Sequence, residues 1–95
     1  METVSAEMYR ALSPRQRREK RAEYVRAQDG LCMFCKTKLT EDPPSRITSK
    51  RINWRKFPTN FLRHPVHLQH DHKTGLTEGA VHSYCNAVMW QYHGR

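Results

Sequence analysis

The chain is poor in the features that usually hold a small domain together or direct it to a membrane. Apolar residues make up 37% of its 95 positions, and mean hydropathy is −0.91, which leaves too little apolar surface for a sizeable core. No stretch approaches the length of a membrane span. The opening METVSAEMYR lacks a cationic start followed by an apolar run, so no export signal is expected there. These absences predict an intracellular, cytoplasmic protein with no membrane partner. Cysteine is scarce and odd in number, three in all, so a framework of internal disulfides fits poorly. Acid is scarce too: nine Asp and Glu stand against 17 Lys and Arg, a formal charge of +8.

The excess of base points to a polyanionic partner, nucleic acid before others, and its placement is uneven. Arg10, Arg15, Arg17, Arg18, Lys20, Arg21 and Arg26 crowd one segment. Arg46, Lys50, Arg51, Arg55, Lys56 and Arg63 crowd another, with no acid between Arg46 and Arg63. Arg17, Arg18, Arg21, Lys50, Arg51, Arg55 and Lys56 are the candidate DNA contacts. In KRINWRKF the basic residues alternate with aromatics, which suits phosphate clamping with Trp54 or Phe57 stacked on bases. The alternative is that Trp54, Phe57, Phe61 and Leu62 close a small apolar cluster.

Punctuation organises the rest. Ser13 is a natural N-cap, Pro14 fits the first helical position and Asp29-Gly30 a stop, so a helix is expected over about residues 14–28. Its apolar stripe, Ala22, Val25 and Tyr24, is narrow. LCMFC reads as a tight metal knuckle. Residues 40–65, with four prolines, read as a long basic loop. VHLQHDH has a strand pattern, KTGLTEG supplies a turn, and AVHSYCNAVMWQYHG begins as a strand and becomes a helix over about 83–93.

Cys32 and Cys35 form one half of a metal site, and His82 and Cys85 repeat the same spacing downstream. Together they make a Cys3His set of the nitrogen and sulfur donors that zinc prefers, closed and therefore structural. Such an ion would supply the folding energy that the core lacks. His64, His67, His70, His72 and His93 remain outside that set.

A Cys-x-x-Cys knuckle, then QHDHKTG (69–75), then HSYCN (82–86) at the head of a helix resembles the HNH endonucleases of the phage recombination endonuclease VII type. The likeness covers the knuckle and about residues 67–90. It implies a small α+β, zinc-stapled ββα-metal (His-Me finger) domain with an added N-terminal basic helix. Its single domain, 1–95, would comprise an arm and helix over 1–30, the knuckle over 31–39, a basic loop over 40–65 and the ββα core over 66–95. The resemblance further implies a phage-encoded, metal-dependent phosphodiester hydrolase acting on DNA as a monomer that nicks or a homodimer that cuts both strands, leaving 5′ phosphate and 3′ hydroxyl. His70 takes the place of the general base, Asn86 that of a ligand for a catalytic Mg²⁺ or Mn²⁺, and His72 that of an accessory histidine. Imidazole suits the task because it can accept a proton near neutral pH.

Gln69 stands where the pattern carries an aspartate ligand. An amide oxygen can bind a hard cation but brings no charge. The readings left open are a cation completed by substrate phosphate, replacement of the acid by Asp71, or a site that no longer cuts. His93 is a further candidate ligand. If the site is degenerate, the chain is a non-catalytic zinc-finger DNA-binding protein.

Overall fold

The computed structural model describes residues 4–94. A long helix, α1 (Pro14–Ala27), precedes the Cys-x-x-Cys turn; a one-turn helix, α2 (Ser45–Thr48), and a 3₁₀ turn (Trp54–Lys56) interrupt the proline-rich segment. Strands β1 (Val66–His70) and β2 (Thr77–His82) then form a hairpin that runs directly into helix α3 (Ser83–His93). The class is α+β, with one two-stranded antiparallel sheet. Among the described residues no helix is long and apolar enough to cross a membrane.

Helix α1 starts at Ser13, whose hydroxyl accepts from Gln16 N while the Gln16 side chain accepts from Ser13 N, a complete capping box with Pro14 behind it. Such a cap is worth about 1 kcal/mol. The expected apolar stripe is partly different. Tyr24 is buried and Val25 half-buried, but Ala22 is exposed and Lys20 is buried in its stead. The Lys20 ammonium is satisfied by Glu23 at 3.4 Å, Glu7 at 3.7 Å and the Ser5 carbonyl at 3.2 Å. Tyr24 pins the helix to the hairpin: its hydroxyl lies 3.0 Å from Thr77 Oγ1 and donates to the Thr77 carbonyl at 3.2 Å.

Pairing in the hairpin runs from Val66 with His82 to Gln69 with Gly79, and then slips, so that His70 faces Thr77. The slip matters because a bulge breaks the period-two alternation of side chains. The outer edge of β2 is closed by other parts of the chain. Gln28 mimics a strand, its amide accepting from Ala80 N and donating to the Ala80 carbonyl, both at 2.9 Å. Residues 7–9 cover the other end: Thr77 N donates to the Glu7 carbonyl and Tyr9 N to the Gly75 carbonyl, each at 2.9 Å. Gly79 is required by space, since a Cβ there would meet Met33 Sδ at 2.6 Å and Gln28 Oε1 at 2.8 Å.

The core is small, as the composition demands. Leu39, Ile47, Leu68, Ala80, Val81, Val88 and Met89 are buried around the three cysteines. The 40–65 segment is ordered by α3. Tyr84 Oη lies 2.8 Å from the Lys50 carbonyl, Tyr92 Oη donates to the Arg51 carbonyl at 2.6 Å, and Gln91 bonds Asn53 N and the Arg51 carbonyl.

Candidate metal centre and adjoining cleft

The knuckle is built by a turn in which Cys32 N donates to the Thr37 carbonyl and Lys36 N to the Cys32 carbonyl. Lys36 adopts φ +66° to let the chain reverse. Across from it, β2 delivers His82 and the first turn of α3 delivers Cys85. All four side chains are buried, and their ligand atoms lie within 4.8 Å of one another. His82 Nδ1 is 3.4 Å from Cys35 Sγ and 3.7 Å from Cys85 Sγ. Edges of a zinc tetrahedron with nitrogen and sulfur ligands measure about 3.5 to 3.8 Å. The donor set therefore fits a structural metal ion such as zinc.

The surroundings tune the ligands. His82 Nε2 donates towards the carbonyls of Glu41 at 2.8 Å and Lys38 at 3.0 Å, which fixes the tautomer with Nδ1 free for the metal. The side-chain hydrogen bond between Cys32 and Cys85 draws Cys32 down to about 4 against the effect of burial and, with burial, pushes Cys85 well above its ordinary value. Arg46 clamps the turn from outside by donating to the Cys35 carbonyl at 2.6 Å.

A cleft of about 700 Å³ opens beside this centre. Three parts of the chain line it. The N-terminal part gives Tyr9 and, from α1, Arg17, Arg18 and Arg21; the 40–65 segment gives Lys56, Phe57 and Phe61; the hairpin and α3 give His67, Gln69, His70, His72, Asn86 and Trp90. Cationic side chains thus ring a patch of imidazoles and amides. No carboxylate lines the cleft among the described residues.

Both amides have their nitrogens committed. Asn86 Nδ2 donates to His67 Nδ1 at 3.1 Å, and Gln69 Nε2 donates to Glu78 Oε1 at 3.1 Å. In each, the oxygen is the amide atom that these bonds do not use. Burial lowers the pKa of His67, although a hydrogen bond to the Phe61 backbone opposes this. Burial also lowers the pKa of His70, with the charges of His72, Arg17 and Arg10 acting in the same direction. As a cation site the cleft fits in part. Two amide oxygens and nearby imidazoles suit a borderline ion, or a hard ion completed by a phosphate oxygen, better than a hard ion alone.

Several expected residues lie elsewhere. Asp71 does not line the cleft; its Oδ1 accepts from Lys73 N at 2.7 Å and Thr74 N at 3.2 Å, capping the hairpin turn. The bulge at Gln69 and His70 is why Asp71 does not follow Gln69 in regular alternation. His93 packs on Phe34, with ring centroids 5.7 Å apart, rather than beside Asn86. Lys50, Arg51 and Arg55 also lie outside the cleft lining, and Lys50 sits over the Tyr92 ring at 5.2 Å. Phe57 and Phe61 pack on one another at 4.8 Å and line the cleft, whereas Leu62 is exposed. Trp90 is likewise a cleft residue, and Met89 is core.

Sequence reasoning passes over Glu78 and Tyr9. Glu78 carries a weak signal, being an acid on the partner strand of Gln69. Tyr9 carries none, because its place depends on pairing with the distant hairpin tip. No family model, curated protein or solved structure matches the chain.

Proposed function

We propose that the chain is a zinc-stapled HNH-type endonuclease that hydrolyses DNA phosphodiester bonds with a divalent cation. The observation that carries this reading is the convergence of His70, Asn86 and Gln69 on one cleft bordered by Arg17, Arg18, Arg21 and Lys56. The hairpin-then-helix order and the metal cluster at the strand–helix junction agree with the ββα-metal arrangement that QHDHKTG and HSYCN imply.

In this reading the arginines and Lys56 hold backbone phosphates, and Phe57, Phe61 or Trp90 offer apolar faces to sugar or base. His70, whose pKa is lowered by its partly buried setting, takes a proton from water. The water oxygen bonds to phosphorus, the bond to the 3′ oxygen breaks, and that oxygen leaves with the electron pair and is protonated by solvent. Gln69 and Asn86 would hold a Mg²⁺ or Mn²⁺ that supplies Lewis-acid stabilisation of the developing charge. His67 keeps Asn86 in place for that role. One chain carries one such site, so a monomer nicks and a dimer cuts both strands.

The test is nicking of supercoiled plasmid by zinc-loaded protein in EDTA-treated buffer to which Mg²⁺ or Mn²⁺ is returned. Cation-dependent open circles that vanish in His70→Ala support the enzyme. A second reading has its own observation, the lack of any carboxylate lining the cleft among the described residues. It makes the chain a zinc-finger DNA-binding module, which would bind without cutting under every cation.

A further inference from the structure

We propose that Tyr9 is the positioning residue for His70, fixing the imidazole by its ring face; this rests on the nuclease reading of the cleft. The Tyr9 and His70 rings stack with centroids 4.1 Å apart and planes 13° from parallel. His72 stacks on His70 at 4.8 Å and 18°. The guanidinium of Arg17 lies 4.0 Å from the Tyr9 centroid, and its Nε donates to the Tyr9 carbonyl at 3.2 Å. The contacts run in order through Arg17, Tyr9, His70 and His72.

This stack is built, not a loose arm resting on the surface. Tyr9 N is bonded to the Gly75 carbonyl at the hairpin tip, and Glu7 exchanges two bonds with Thr77, so the strap is fastened on either side of Met8. Gly75, at φ +78°, leaves room for Met8, whose Cε would lie 3.0 Å from a Cβ there.

The chemistry asks for such a device. A general base delivers an in-plane lone pair, so the ring plane must be fixed while a nitrogen stays open. Histidines are commonly oriented by a hydrogen bond from the second nitrogen, as His82 is by carbonyls and His67 by Asn86. The ring contacts of His70 among the described residues are the two stacks, with Tyr9 and with His72. Stacking covers its faces, leaves both nitrogens at the edge, and sets the plane without using either.

The experiment compares full-length, zinc-loaded wild type, Tyr9→Phe and Tyr9→Leu in steady-state cleavage of a labelled DNA and in NMR spectra of the histidine rings. The stack predicts that Tyr9→Phe retains wild-type kinetics, whereas Tyr9→Leu loses about 10- to 100-fold in kcat with KM unchanged. It also predicts that the His70 Hε1 resonance moves downfield in Tyr9→Leu alone, as the ring current is lost, while His82 and His67 stay in place and report an intact fold. Full kcat in Tyr9→Leu, a change confined to KM, or an unmoved His70 resonance overturns the role of Tyr9 alone. A wild type that never cuts, whatever the resonance does, overturns the nuclease reading and this role with it.

Discussion

Gln69 donates its amide to the carboxylate of Glu78 at 3.1 Å. Thus an acid does stand near the position where the nuclease pattern carries one, but it reaches the cleft through an amide. The bond turns the amide nitrogen away from a cation and, through its charge, raises the electron density of the oxygen. Glu78→Ala is expected to lower Mn²⁺ affinity about tenfold, measured by electron paramagnetic resonance. Gln69→Asp alone sets two carboxylates close together, so Gln69→Asp with Glu78→Gln should support Mg²⁺-dependent nicking better than Gln69→Asp does. Equal activity of the single and double variants would remove Glu78 from the site.

Because buried apolar area is small, the metal cluster should decide whether the chain folds at all. Cys85→Ser, or chelation of the wild type, is expected to abolish the cooperative thermal transition and the α1 helix signal in circular dichroism. Zinc release on unfolding, read with a chromogenic chelator, should approach one ion per chain. A chelated protein that keeps its transition would contradict a structural role for the cluster.

Arg17, Arg18 and Arg21 all line the cleft from α1, and Arg17 also lies over the Tyr9 ring. Replacing Arg18 or Arg21 by alanine should weaken duplex binding alike for unrelated sequences. The slope of log K against log salt should become shallower by about 0.9 for each phosphate that the variant no longer neutralises. Arg51→Ala and Arg55→Ala, whose side chains lie outside the cleft lining, should change it less. The reverse ranking would move the nucleic acid to the other basic segment.

Acidity gives a further check. As the proposed base, His70 would act only when neutral, and burial together with His72, Arg17 and Arg10 lowers its pKa from the ordinary 6.5, with Asp71 acting the other way. The cleavage rate should therefore rise with pH as the ring loses its proton and level off after a midpoint below 6.5. A midpoint above that value would mean that another group titrates, or that His70 gains a carboxylate partner when DNA binds.

Features carried by neighbours in the chain are legible in the sequence. The Ser13 N-cap of α1, the Cys-x-x-Cys and His-x-x-Cys spacings and the helix beginning at Ser83 all rest on contacts a few residues apart. Features that depend on distant pairing are not legible. Lys20 is buried on a helix whose composition predicts an open basic surface, because the Ser5 carbonyl and Glu7 reach it from the N-terminal strap. Gln28 closes a sheet edge at Ala80. Tyr9 finds His70 only because Glu7 and Tyr9 pair with the hairpin tip. Simple alternation misplaces Asp71, since the bulge after Gln69 resets the strand.

Everything proposed for the cleft depends on His70 being the base of a DNA-cutting site. Supercoiled-plasmid nicking by zinc-loaded wild type and His70→Ala in Mn²⁺, with DNA binding followed in parallel by gel shift, decides it. The expected result is cation-dependent open circles from the wild type, a loss of about 10²- to 10⁴-fold in His70→Ala, and unchanged binding by both. Binding without cutting by the wild type, or undiminished cutting by His70→Ala, would contradict it.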